Sequence, residues 1–263
     1  MNKKCKLVIT QNSAELIILS NTPNDFKCTR ISDREYINHR TGEVLEYSRN
    51  ENNTKSLDSM RKTFKRLNYL ITDNFNGGQS EVFITLGYNY TMSDTAQLNH
   101  DLNLFWRKLK RRYKNCEYIS IAEYTEKRGL HLHILIKSSD GQKLVFARDF
   151  IIKIWGQNDV YIERIKTSKD IEKISKYLNP FTNPKKFNRL SYYERNFRVY
   201  NSSQGIIKPQ IESDIIVEQA LSLLEEIGFK KSAITSYDIV ETIRNGRKIT
   251  LNNVIKINFS KEK

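Results

Sequence analysis

The sequence predicts an α+β fold: a central antiparallel β-sheet with helices packed on one face. Three observations lead there. Strand-length runs of β-branched and aromatic residues recur, as in "KLVITQ", "EVFITLGYNY" and "CEYISIAEY". Between them lie stretches whose apolar residues follow the helical period. The links are short, and the order strand–helix–hairpin–helix–strand–helix suits an antiparallel sheet more than a parallel one.

Taken in order, "KLVITQ" and "AELIILS" read as two short strands. Residues 39–56, from His39 to Ser56, start with a Thr-Gly turn signal and continue as a polar segment. In the next stretch Leu57, Met60, Phe64, Leu67 and Leu70 or Ile71 mark one face of a helix, which the Asn76–Gly78 turn stops. "EVFITLGYNY" is a strand, and the helix after it can be capped by Ser93 or Asp94. Its apolar stripe is Leu98, Leu102, Phe105, Leu109 and Tyr113.

"CEYISIAEY" and "LHLHILIK" form a strand pair around "TEKRG", whose Gly129 suits a hairpin with a bulge. "GQKLVFARDFIIKIW" gives a turn and a helix, and "NDVYIERIK" an alternating strand. The helix "SKDIEKISKYLNP" can be capped by Ser168 or Asp170, aligns Ile171, Ile174 and Leu178, and is ended by Pro180. The stretch from Phe181 is basic, aromatic and weakly periodic, and reads as loop with short elements. From Glu212 the pattern is an amphipathic helix, then strands around an Asn-Gly turn.

The chain of 263 residues can build one substantial core with or without a small appendage. No apolar run approaches the ~20 residues that span a bilayer, and the N-terminal stretch lacks a signal-peptide pattern. Cys5, Cys28 and Cys116 are scattered and form no CxxC pair, which argues against a zinc knuckle or a disulfide framework and for a reducing, intracellular setting. The net charge of +14 favours a polyanionic partner. Fourteen tyrosines and twelve phenylalanines among the lysines turn that expectation toward nucleic acid, because aromatic faces stack on unpaired bases. Arg107, Lys108, Lys110, Arg111, Arg112 and Lys114 crowd the end of the second helix, more cations than the helix dipole needs; a phosphate-facing role and a solvated helix end are about equally good readings.

The chemistry concentrates in "AEYTEKRGLHLHILIK". In a strand, residues i and i+2 share a face, so His131 and His133 project together while Leu132 and Ile134 face the other way. Glu123, on the preceding strand of the hairpin, can come level with them. Two imidazoles and a carboxylate suit a divalent ion that keeps positions open for a phosphate oxygen; hydrogen-bonded surface histidines fit the same pattern. Lys127 and Arg128, at the hairpin turn, suit phosphate contact or a solvated turn.

These motifs resemble the HUH endonucleases, a superfamily of rolling-circle replication initiators (Rep proteins), relaxases and some transposases. "VFITLGY" looks like the family's first strand motif. "YISIAEYTEKRGLHLHILIK" is similar to its His-hydrophobic-His motif, and "IWGQNDVYIERIKTSKDIEKISKYLNP" to the motif that carries the catalytic tyrosine. The likeness runs from about Phe83 to Pro180 and does not cover the first 55 residues or those after Asn188.

The resemblance implies an HUH (RRM-like) sheet, Glu123, His131 and His133 as ligands of Mg²⁺ or Mn²⁺, and Tyr177 as nucleophile. Lys173 stands where two-tyrosine initiators carry a second tyrosine, so the chain looks like a single-tyrosine member. Pro180 replaces the lysine often found three residues after the tyrosine, leaving Lys173 or Lys176 as the assisting cation. Lys127, Arg128, Arg107, Lys108, Lys110, Arg111 and Arg112 are the expected DNA contacts.

The implied activity is metal-dependent DNA nicking and joining through a 5′-phosphotyrosine, to initiate rolling-circle replication. The implied partners are single-stranded or origin DNA and a host helicase or polymerase, with no membrane and no small-molecule cofactor. The implied setting is the cytoplasm of a prokaryote, with the gene on its genome or on a virus or plasmid. Two other readings stay open: a non-catalytic nucleic-acid-binding protein, and a relaxase or transposase with the same chemistry, although relaxases usually carry the tyrosine near the N-terminus. The expected organisation is residues 1–78 as strands and a helix packed on the core, 79–200 as nuclease core, and 201–263 as a small appended unit or late part of that core.

Overall fold

The computed structural model describes residues 3–20, 28–32, 35–38, 43–46, 56–193, 197–242 and 248–261. His39, most of the Thr-Gly segment and the Asn-Gly turn lie outside them. The class is α+β, as expected. Along the chain come β1 (Lys4–Ile9), β2 (Ser13–Leu19), β3 (Cys28–Arg30), β4 (Glu35–Asn38), β5 (Val44–Glu46), α1 (Leu57–Asn74), β6 (Glu81–Leu86), α2 (Thr95–Arg112), β7 (Cys116–Thr125) and β8 (Gly129–Ser138). There follow α3 (Arg148–Trp155), β9 (Val160–Arg164), α4 (Ser168–Leu178), α5 (Pro184–Phe187), a 3₁₀ turn (Asn188–Tyr192), β10 (Tyr200–Ser202), β11 (Gln210–Ile216), α6 (Val217–Glu226), β12 (Phe229–Thr242) and β13 (Lys248–Lys261). Among the described residues no helix is long and apolar enough to cross a membrane.

The chain forms two compact units, residues 1–49 with 209–263, and residues 50–208. This differs from the three consecutive segments expected from the sequence. The physical reason is strand pairing between the ends of the chain: β1 pairs with β11, and β2 with β13. In that unit the antiparallel order is β11-β1-β2-β13-β12, packed around Leu7, Leu16, Ala220, Leu224 and Phe259. The helix expected from Glu212 starts only at Val217. The residues before it, with Ile211, Ile215 and Ile216, complete the β1 edge as β11 instead, so tertiary pairing overrides the helical pattern there.

The inner unit is built on the antiparallel sheet β10-β7-β8-β6-β9. All six residues of β6 are buried, including Glu81, whose carboxylate accepts from the Asn76 and Gly77 amides and so holds the turn that ends α1. The predicted helix stripes are realised. Met60, Phe64, Leu67, Leu70 and Ile71 of α1 are buried, as are Leu98, Leu102, Phe105 and Leu109 of α2. Asp94 caps α2 by accepting from the Ala96 and Gln97 amides. The cap of α4 is Thr167, one residue before the expected Ser168. Asp170 reaches back to accept from the Thr167 amide.

The helices cover both faces of this sheet rather than one. Trp106 of α2 packs on Tyr118, which lies opposite Ile136 in register. Lys137, on the other face, donates to Asn74 of α1. α4 joins α1 on that second face through a Ser175–Asn68 hydrogen bond.

The β7–β8 hairpin closes at Gly129, with φ +67°. The Met92 backbone bridges to Gly129, and the Leu130 amide donates to the Met92 carbonyl at 2.7 Å. A β-carbon on Gly129 would overlap Met92 backbone atoms. Gly129→Ala is therefore expected to lower unfolding free energy by about 2–3 kcal/mol, measured by urea titration, from left-handed strain plus steric overlap.

Candidate metal centre

The hairpin register sets the site. Glu123 pairs with His131, and His133 with Ile121 on one side and Thr85 on the other. The alternation therefore aims both imidazoles and the carboxylate to one face, the face of α1 and α4. Candidate ligand atoms of Glu123, His131 and His133 lie within 4.8 Å of one another, and all three residues are buried. Phe83 stacks on the His133 ring, centroids 5.6 Å apart, and fixes its plane.

Hydrogen bonds set the tautomers. His131 Nδ1 lies 3.1 Å from the Gly129 carbonyl, which only accepts, so Nδ1 carries the proton and the Nε2 lone pair faces the cluster. Nε2 of His133 lies 2.9 Å from Glu123 Oε2 and donates to it; its Nδ1, 3.1 Å away, accepts from the Thr85 hydroxyl. A hydroxyl donates or accepts equally well. Thr85 can therefore support the opposite His133 tautomer, which presents a lone pair at Nε2. Two imidazole nitrogens and one carboxylate form a donor set that can hold a divalent ion.

Two cations missed by the sequence reading complete the cluster. Lys186 Nζ lies 2.8 Å from Glu123 Oε1 and 3.0 Å from Oε2, and Arg189 donates to Oε1. They come from α5 and the 3₁₀ turn, inside the weakly periodic stretch. The signal available was Asn183–Pro184, a helix-start pair with proline at the first position. Burial alone would raise the Glu123 carboxyl pKa; His131, His133 and Lys186 outweigh it and hold the group well below the usual carboxylate range. Burial lowers His133 to about 4, against the opposing pull of Glu123.

Tyr177 stands at the edge of this cluster. Its ring meets the His133 ring edge-to-face, centroids 5.8 Å apart, and the Lys186 ammonium lies 3.4 Å from its centroid. The residue is 47% exposed. Burial first, and then the Glu123 charge, raise its pKa; Arg189 and Arg128 pull the other way. Lys173 has a side chain 79% exposed and pairs with Asp170, and Lys176 is exposed. Lys186 is thus the lysine on the Tyr177 ring.

Arg128 makes a two-pronged pair with Asp159 at the hairpin end, and Lys127 beside it is exposed. The basic end of α2 lies on the opposite sheet face. There Lys108 donates to the Ile154 carbonyl, Lys110 pairs with Glu117, and Arg112 stacks over Phe150, while Arg107 and Arg111 are exposed. The structure does not bring those five residues to the histidine cluster.

An α+β unit with a buried Glu–His–His group able to hold a metal ion is the class that fold and site define. Residues 81–182 match a family model of replication-associated proteins, the ORF2 type. The match covers less than half of the chain and supports a role as a replication-associated protein of Rep type. It spans Glu123, His131, His133 and Tyr177 and stops short of Lys186 and Arg189. No curated protein matches the chain.

The depressed His133 pKa fixes a sign. Above pH ~6.5 both folded and unfolded chains hold the imidazole neutral. Below it the unfolded chain takes up a proton that the folded chain refuses down to about pH 4, so stability is lost across that window. With chelator present, the wild type is expected to lose about 2.5 kcal/mol more than His133→Asn between pH 7 and 4.5 in urea unfolding.

Proposed function

We propose that this protein is a metal-dependent, single-tyrosine HUH endonuclease that nicks and rejoins DNA to start rolling-circle replication. The observation that carries the reading is the position of Tyr177, half-exposed and edge-on to a ligand histidine, with cations beside its ring. The family match to replication-associated proteins supports it, because both motifs fall within the matched residues.

In this reading the Tyr177 oxygen attacks the scissile phosphorus. The P–O3′ bond breaks, the 3′ oxygen leaves as a hydroxyl, and a 5′-phosphotyrosine remains. Attack by another 3′-OH reverses the step, so strands rejoin without ATP. Tyrosine's reference pKa of about 10 makes the phenolate scarce at neutral pH, and here the neutral form is favoured further. Arg189 and Arg128 supply the positive field that opposes this. Glu123, His131 and His133 would hold Mg²⁺ or Mn²⁺, which when bound polarises a phosphate and offsets developing charge. Thr85 sets the His133 tautomer. Lys127 and Arg128 are placed to contact the DNA backbone near the site, while the α2 cations would touch it only on the opposite face of the sheet. DNA is the partner in this reading; Lys173 and Lys176 contribute charge to the DNA surface rather than to Tyr177.

The test is incubation with single-stranded oligonucleotides of varied sequence and Mn²⁺, read as a denaturation-resistant protein–DNA adduct. Wild type is expected to form it; Tyr177→Phe and His131→Ala/His133→Ala are expected to lose it by at least 100-fold. DNA binding without any adduct would favour a non-catalytic binding protein.

A further inference from the structure

We infer that Lys186 and a divalent ion are rival partners for the Glu123 carboxylate, so that Lys186 sets how tightly the site takes its metal. The inference rests on the metal reading above and extends it to residues beyond the matched family segment. An ionised carboxylate has about four lone-pair positions. At Glu123 four contacts occupy them: His133 and Lys186 on Oε2, Lys186 and Arg189 on Oε1. Only one is readily surrendered, because Thr85 lets His133 move its proton from Nε2 to Nδ1. The other three belong to fixed positive charges, within about 3 Å of the oxygens that would ligate the ion.

Like charges at such range in a buried site repel strongly. The imidazoles, Glu123 and Lys186 are all buried together, so an incoming ion meets the ammonium rather than water. When the ion takes the carboxylate, the ammonium turns from Glu123 toward the Tyr177 side. It already lies against that ring, on the side where the scissile phosphate would sit. The same cation that guards the empty carboxylate then faces the phosphodiester.

The experiment is a Mn²⁺ titration of the full chain without DNA, with free Mn²⁺ read by electron paramagnetic resonance. Lys186→Met is expected to bind at least tenfold more tightly than wild type, Arg189→Gln about threefold more tightly, and Lys186→Arg within threefold of wild type. If Lys186→Met does not fold, Arg189→Gln decides alone, since its side chain is 31% exposed and its loss is readily tolerated. Unchanged or weaker binding in the folded variants overturns the rivalry and leaves the metal reading intact. If neither wild type nor any variant binds Mn²⁺ above the His131→Ala/His133→Ala level, the rivalry and the metal reading both fall.

Discussion

A carboxylate taken out of water is the constraint around which the inner unit is arranged. Glu123 is buried in the middle of a sheet face, where an uncompensated charge costs several kcal/mol. Its compensation comes from three separate pieces of chain: the partner strand β8, the short helix α5 and the 3₁₀ turn. The charge thereby ties the segment around Lys186 and Arg189 to the sheet. The same segment puts an ammonium on the Tyr177 ring, so the position of the tyrosine relative to the histidines follows from how one buried charge is satisfied.

Charge in this protein therefore has two kinds of work to do, and the total of +14 does not separate them. The cation-rich end of α2 is partly consumed in holding the structure: Lys108 closes the end of α3, Arg112 lies on aromatic rings, and Lys110 answers Glu117. The cations that meet the histidine cluster are fewer and come from less conspicuous sequence. Their effect is larger because they act in a buried environment.

What was legible in the sequence is what local periodicity encodes. The two-residue alternation of β8 aims His131 and His133 together, and Gly129 sets the hairpin that brings Glu123 opposite. The helical stripes of α1 and α2 are equally readable from spacing alone. Lys186 and Arg189 were not, because their contact with Glu123 spans more than sixty residues and their own segment has too little periodicity to aim a side chain. The strand β11 was misjudged as helix for a related reason: its pairing partner β1 lies at the other end of the chain. The helices on both sheet faces were likewise invisible to a reading that gives each helix its apolar stripe but not the side of the sheet it meets.

The pairing of β1 with β11 and of β2 with β13 has a consequence for how the chain is made. During synthesis the first two strands emerge early, yet their outer neighbours follow roughly 200 residues later. The inner unit, whose contacts all lie within residues 50–208, is fully translated first and can fold while the N-terminal hairpin waits. In that interval β1 and β2 expose strand edges on both sides, the kind of surface that invites pairing with another nascent chain. The late arrival of β11 and β13 is what closes them, so a ribosome that stalls after the inner unit releases a folded centre with a sticky leading end.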